Sequence, residues 1–249
     1  MRRIIRPENV EMAERKPIIA ATAVGVAAVA AVVQYAAPFV VPVLTREPGP
    51  LEAGQWWRLV TPLFVQTLGW YQVVTNLVTL AVVGVVAERL LGRWRWVVLF
   101  AAGTIGGQIA AYAWREPGGG DSIAICGLAG GVVVWLLAGR RDASRWAVGA
   151  VVSYIAALTG WGFGGIRAAA VAALAAVVVL CVVRARGVAL VGTVACAVAL
   201  TVAADLHGVS LLSGMAIALV VTCCGVGSAS GPSRPHLAGT ASVADVCGT

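Results

Sequence analysis

The chain has 249 residues, of which 60% are hydrophobic and 12% charged. A soluble domain cannot bury that much apolar surface, so the composition excludes a soluble enzyme or binding module and indicates an integral membrane protein. The net charge of +7 is spread between apolar runs, which fits topology signals rather than a nucleic-acid-binding stripe.

Residues 1–17 open with the charged stretch MRRIIRPENVEMAERK and are expected to form a cytoplasmic N-terminal segment. The apolar run behind it is far longer than a signal-peptide core, so it reads as a retained first span. Eight apolar segments are expected as helices: 18–44, 68–87, 96–114, 122–138, 146–161, 167–183, 187–204 and 207–225. In lipid only helices or closed barrels satisfy the backbone, and a helical crossing takes about 20 apolar residues. Residues 18–225 are therefore one transmembrane domain, an all-α polytopic bundle. Residues 226–249, rich in small polar residues, Gly and Pro, are expected as a disordered cytoplasmic tail.

Six cysteines (126, 181, 196, 223, 224 and 247) lack C-x-x-C spacing, and there are only two histidines. No metal centre or cofactor is expected, and the cysteines read as small buried hydrophobes. With the N-terminus inside, fourteen basic residues fall on inner segments and four (Arg46, Arg58, Arg115, Arg167) on outer ones. That bias predicts a multi-pass cell-membrane protein with both termini cytoplasmic. It also puts Ser122 and His207, which begin the fourth and eighth spans, on the same outer side.

Polar side chains within spans usually face other helices or a wet cavity. Taken alone, the D-S after a glycine run reads as a helix start with Ser122 as N-cap. His207 is the only histidine in the apolar region. It reads either as a histidine hydrogen-bonded at a span end, oriented by Asp205, or as the base a nearby serine needs to become nucleophilic. Small residues on both helices (Ser122, Cys126, Gly130; His207, Ser210, Gly214) permit close approach and equally fit ordinary packing. Gln72 and Asn76, four apart on one face, suit either oxyanion stabilisation or interhelical amide bonding, and Gly84 and Glu88 continue their stripe inward.

Several motifs together resemble a known family. GQWWRLVTPLF (54–64) is similar to an external loop with a Trp-Arg pair. Asn76, Gly84, Glu88 and Gly92 follow N-x7-G-x3-E-x3-G. GDSIAICGLAG (120–130) resembles G-x-S-G-A-I-F-G-L-x-G, and HGVSLLSG (207–214) resembles H-x-x-G-L-x-x-G. Four such motifs, in this order over about 54–218, resemble the rhomboid intramembrane serine proteases.

The resemblance implies Ser122 as nucleophile, His207 as general base and Asn76 as an oxyanion donor. Gln72 stands where the family has a histidine, and the Ser122 amide completes the hole. No metal or cofactor is implied. The implied activity is cleavage of transmembrane protein substrates near the outer membrane interface, with membrane lipid as surroundings and no nucleic acid; the oligomeric state stays open. Substrates are expected to be helices weakened by small or helix-breaking residues. Trp56, Trp57 and Arg58 are expected to anchor their loop in the headgroup zone.

Three further features depart from the pattern. Ile123 replaces the glycine after the serine, and Ser210 replaces the glycine three after the histidine. Three candidate spans lie between serine and histidine where the family core has one, so a rhomboid-like core with an extra helical hairpin is expected. A shifted register makes Cys126 the alternative nucleophile. Two other readings remain: a catalytically inactive rhomboid-like protein that binds or triages transmembrane helices, and an unrelated transporter.

Overall fold

The computed structural model describes residues 16–139, 143–183 and 186–226. Within them every regular element is helical, apart from one isolated antiparallel bridge between Arg46 and Gly118. The order is α1 (Ile18–Ala36), α2 (Val40–Leu44), α3 (Pro48–Glu52), two 3-10 turns (Trp56–Leu59 and Thr61–Phe64), α4 (Trp70–Leu91), α5 (Arg93–Ala113), α6 (Ser122–Leu137), α7 (Arg145–Val178) with a π-turn (Val179–Val183), α8 (Arg186–Val202) and α9 (Leu206–Val226). The expected N-terminal segment lies outside the described residues up to residue 15, and the expected tail does so from residue 227.

Among the described residues, five helices are long and apolar enough to cross a membrane, and Ser122–Leu137 and Gly187–Val202 are shorter apolar helices. The longest of the five is bent. Gly164 and Gly165 leave helical geometry, and Gly160 packs against Ala168 and Ala169. A straight helix would hold Gly160 and Ala168 about 12 Å apart along its axis, so the chain doubles back here. Counting this helix as two arms, 145–163 and 166–178, accounts for all eight expected segments.

The first span is shorter than expected. Helix α1 stops at Ala36, and Ala37, at φ −134°, has left the helix. Pro38 explains this, because its ring disfavours helical geometry in the residue before it. Residues 40–44 form the separate short helix α2 instead.

Helix α6 is the axis of the bundle. Every residue from Ile123 to Trp135 is buried, and α9, α5 and α4 make the main contacts around it. By contrast, Val29, Val32, Ile105, Ile109, Val171, Leu174, Val188 and Val191 are exposed on the outer helices. A wholly buried helix inside a ring of outward-facing aliphatics is what lipid as solvent selects.

Helix α1 is tied to α4 by Glu88. Its carboxylate accepts from the N–H groups of Ile19 (3.2 Å) and Ala20 (2.7 Å), and Arg93 Nε lies 3.5 Å from Oε1. The first-turn N–H groups of a helix have no intrahelical acceptor, so this carboxylate meets donors otherwise orphaned in an apolar bundle.

Helices α5, α6 and α9 cross backbone to backbone at three glycines. A Cβ on Gly127 of α6 would lie 2.6 Å from Gly103 Cα of α5, and one on Gly214 of α9 would lie 2.7 Å from Gly127 Cα. Gly127→Ala is therefore expected to lower stability by about 1–3 kcal/mol or more, since neither facing backbone can yield. Gly149, with nothing within 4 Å, is the control: Gly149→Ala should hold or raise stability by roughly 0.5–1 kcal/mol. Thermal unfolding of both variants in detergent checks the contrast.

Candidate active site

A helix of 16 residues such as α6 rises only about 24 Å, short of the roughly 30 Å hydrocarbon layer. One of its ends must therefore lie within the layer. The loop before Ser122 is constructed for that depth, because its backbone groups are paired. Gly118 exchanges bonds with Arg46 (2.8 and 3.1 Å), Gly119 N–H donates to Thr67 Oγ1 (3.1 Å), and Gly120 N–H donates to Pro62 O (2.8 Å). Gln72 Nε2 donates to Gly119 O (2.9 Å). Gly120 has φ +138°, and a Cβ there would run into the Gln72, Gln66 and Asn76 side chains. No other residue type fits that position.

Ser122 is the first residue of α6, and Asp121 occupies the N-cap, so the expectation of Ser122 as the cap is corrected. The serine hydroxyl meets the first turn of α9. Its Oγ lies 2.9 Å from His207 Nε2, across 85 residues of sequence. On the other edge of the imidazole, Nδ1 lies 2.7 Å from Asp205 Oδ1, and the His207 backbone N–H donates to the same oxygen at 2.9 Å. Burial opposes the charge on Asp205, but the hydrogen bonds and charge of His207 outweigh it and hold this carboxyl below its ordinary range. An ionised carboxylate only accepts, so the imidazole proton belongs on Nδ1 and Nε2 is left to accept from the serine hydroxyl. His207 and Asp205 side chains keep 23% and 24% of their surface open, so the pair is reachable from outside the packed core.

Gln72 and Asn76 lie beside the loop that precedes the serine. Gln72 also accepts from Leu68 N–H through Oε1 (2.8 Å). Asn76 Nδ2 donates both of its hydrogens, to Gln66 Oε1 (2.8 Å) and Asp121 Oδ1 (2.9 Å). Gln66 Nε2 donates to the same Asp121 oxygen at 2.9 Å. Behind them, Gln34 of α1 clasps the Gln66 backbone twice, accepting from its N–H (2.7 Å) and donating to its C=O (2.9 Å). Gln34, Gln66 and Asp121 were not legible as site residues, although a glutamine in the apolar first span is the signal that could have found one.

Cys126 sits one turn deeper in α6 and is fully buried. Its Sγ is 3.3 Å from the hydroxyl of Tyr154, which also donates to Ser122 O at 3.4 Å. Tyr154, from the first arm of α7, is a further site neighbour that no sequence motif marked. The bulk of Ile123 is taken up across the helix interface, where Gly107 of α5 faces it: a Cβ on Gly107 would lie 2.8 Å from Ile123 Cβ. Ser210 turns its hydroxyl back to Leu206 O (2.9 Å). Arg58 corrects its expectation, because it is buried and bonds Gln55 Oε1 (2.7 Å) and Thr45 O. Only Trp56 and Trp57 face outward.

Comparison with known proteins meets this geometry. The rhomboid domain family model matches residues 53–226. The chain belongs to the rhomboid family. A stretch of 119 residues is 30% identical to the rhomboid protease GluP of Bacillus subtilis (strain 168), covering 47% of this chain and 23% of that protein. No solved structure matches the chain. Helix α1, which clasps Gln66, lies outside the matched residues.

Gln34→Leu should leave the Gln66 N–H and C=O without partners beside the site. The expected loss is about 1–3 kcal/mol, read as a lowered unfolding temperature in detergent. Thr22→Val, which removes only an exposed bond to Ile18 O, should leave that temperature unchanged.

Proposed function

We propose that this chain is an intramembrane serine endopeptidase that cleaves transmembrane protein substrates near the outer membrane interface. The observation that carries the reading is the 2.9 Å approach of Ser122 Oγ to His207 Nε2, with Asp205 2.7 Å from the opposite nitrogen. Ser122 Oγ attacks the scissile carbonyl carbon while its proton passes to Nε2. The tetrahedral adduct collapses, the C–N bond breaks, and His207 returns the proton to the leaving amine. Water, activated by the same imidazole, then hydrolyses the acyl-enzyme.

The Ser122 N–H, one of the unpaired donors of the α6 N-terminus, supports the negative oxygen of the adduct together with Gln72 and Asn76. Asp205 acts as a positioning residue that keeps the imidazole in the accepting tautomer. The Ser–His dyad expected from the sequence thus acquires a third member. The distribution of positive charge supports an N-inside orientation, with this site beneath the outer leaflet. Substrate helices carrying small or helix-breaking residues at that depth unwind most readily into an extended, cleavable strand.

A second reading, a rhomboid-like protein that binds or triages helices without cutting them, is favoured by one observation. Both hydrogens of Asn76 are already engaged.

Cleavage of a single-span reporter in detergent separates the two readings. Ser122→Ala and His207→Ala should abolish cleavage and labelling by a serine-reactive phosphonate, whereas Cys126→Ala should retain both. Asn76→Ala should lower kcat by about 10²–10³-fold. Asp205→Ala should lower it by about 10²–10⁴-fold with little change in KM. Undiminished cleavage by Ser122→Ala would remove the serine protease reading, and a wild type inert to reporter and phosphonate alike would favour the helix-binding one.

A further inference from the structure

An aspartate at a helix N-cap ordinarily accepts from the N–H groups of the first turn. Asp121 makes no such bond. Its carboxyl turns away from α6 into the amide cluster, where it is only 4% exposed. Oδ1 accepts from Gln66 Nε2 and Asn76 Nδ2, both at 2.9 Å. Oδ2 is buried with no hydrogen-bond partner.

No cation compensates this group, because among the described residues no ion pair reaches it. Its bonded neighbours are Asn76 from α4 and Gln66 from the preceding segment, and Gln72 and Tyr154 bond the adjoining residues Gly119 and Ser122. His207 and Asp205 lie beyond the adjoining serine. An ionised carboxylate with one bare oxygen in such a place carries a large desolvation cost. Burial with one unpartnered oxygen favours the neutral acid, against the Gln66 and Asn76 bonds, which favour the charged form.

The same carboxyl occupies the amide of Asn76, the side chain assigned above to the oxyanion. Hydrogen bonds to an ionised acceptor are roughly twice as strong as neutral ones. A carboxylate would therefore hold Asn76 firmly and set a negative charge beside a second, developing one. A neutral acid with its proton on Oδ2 holds Asn76 by a weaker bond that can be exchanged.

We propose that Asp121 is a positioning residue that serves the site only in its neutral, protonated form, releasing Asn76 to the oxyanion when neutral and locking it when ionised. The inference rests on the serine protease reading and extends it to proton control of the oxyanion pocket. Activity is present while Asp121 stays protonated and is lost as pH rises and the carboxyl ionises.

The test uses the full chain in detergent. Infrared difference spectra of wild type against Asp121→Asn should show a protonated carboxylic acid carbonyl band at neutral pH that is missing from the variant and fades as pH rises. Over the same range wild-type kcat should fall. Asp121→Asn, and Asp121→Ser as a smaller neutral replacement, should cleave the reporter without that alkaline fall. An alkaline fall of the same midpoint in the neutral variants, or no band lost in Asp121→Asn, overturns the proposal. A Ser122→Ala chain that cleaves like wild type overturns the serine protease reading itself, an outcome distinct from the infrared one.

Discussion

Backbone N–H and C=O groups cannot be left unpaired inside hydrocarbon, and each orphan costs several kcal/mol. Helices meet that demand internally; the loop that brings Ser122 to its place cannot. Gly118, Gly119 and Gly120 are instead paired one by one with Arg46, Thr67, Pro62 and Gln72. The side chains that look like catalytic furniture, Gln72 and Asn76 above all, are in this state part of that lining. The same donors that satisfy a dipping loop also stand next to the proposed nucleophile, so loop support and the proposed oxyanion support draw on one set of amides. Asp121 lies where those two demands meet.

Close helix crossing sets the other half of the geometry. Gly127 lets α5 and α9 touch the α6 backbone from two sides, and the start of α9 then falls beside the start of α6. His207 is delivered to Ser122 by that crossing, and Asp205, two residues earlier in the turn, meets the far side of the ring. The departure at Ile123 shows how local the requirement is. Where the resemblance leads one to expect a glycine on α6, the facing residue Gly107 on α5 provides the space instead. What the interface needs is one missing side chain, and either helix can omit it.

Helix α1 links the site to the opposite end of the bundle. Its N-terminus is held by Glu88, and its last full turn carries Gln34 to the Gln66 backbone. From Gln66 the path runs through Asp121 to the residue before the serine. A span that lies outside the rhomboid match is therefore bonded to the same polar cluster as the rhomboid motifs.

Much was legible without coordinates. Apolar runs of bilayer length determined an all-helical membrane bundle, because hydrocarbon admits little else. The motifs around Ser122, His207 and Asn76 identified the candidate site, and the parity of spans put serine and histidine on one side. Helix ends were less legible, as the break before Pro38 shows. Only the tertiary structure decided which neighbours each polar group meets. Asp121 reads in sequence as a helix start, Gln34 as a stray amide, Tyr154 as one more aromatic and Arg58 as an anchor. Each has a partner on another segment, 13 to 55 residues away. Hydropathy and periodicity report whether a residue prefers lipid, protein or water, which is a property of one segment. Hydrogen bonding is directional and pairwise, so it is settled only when the segments are brought together.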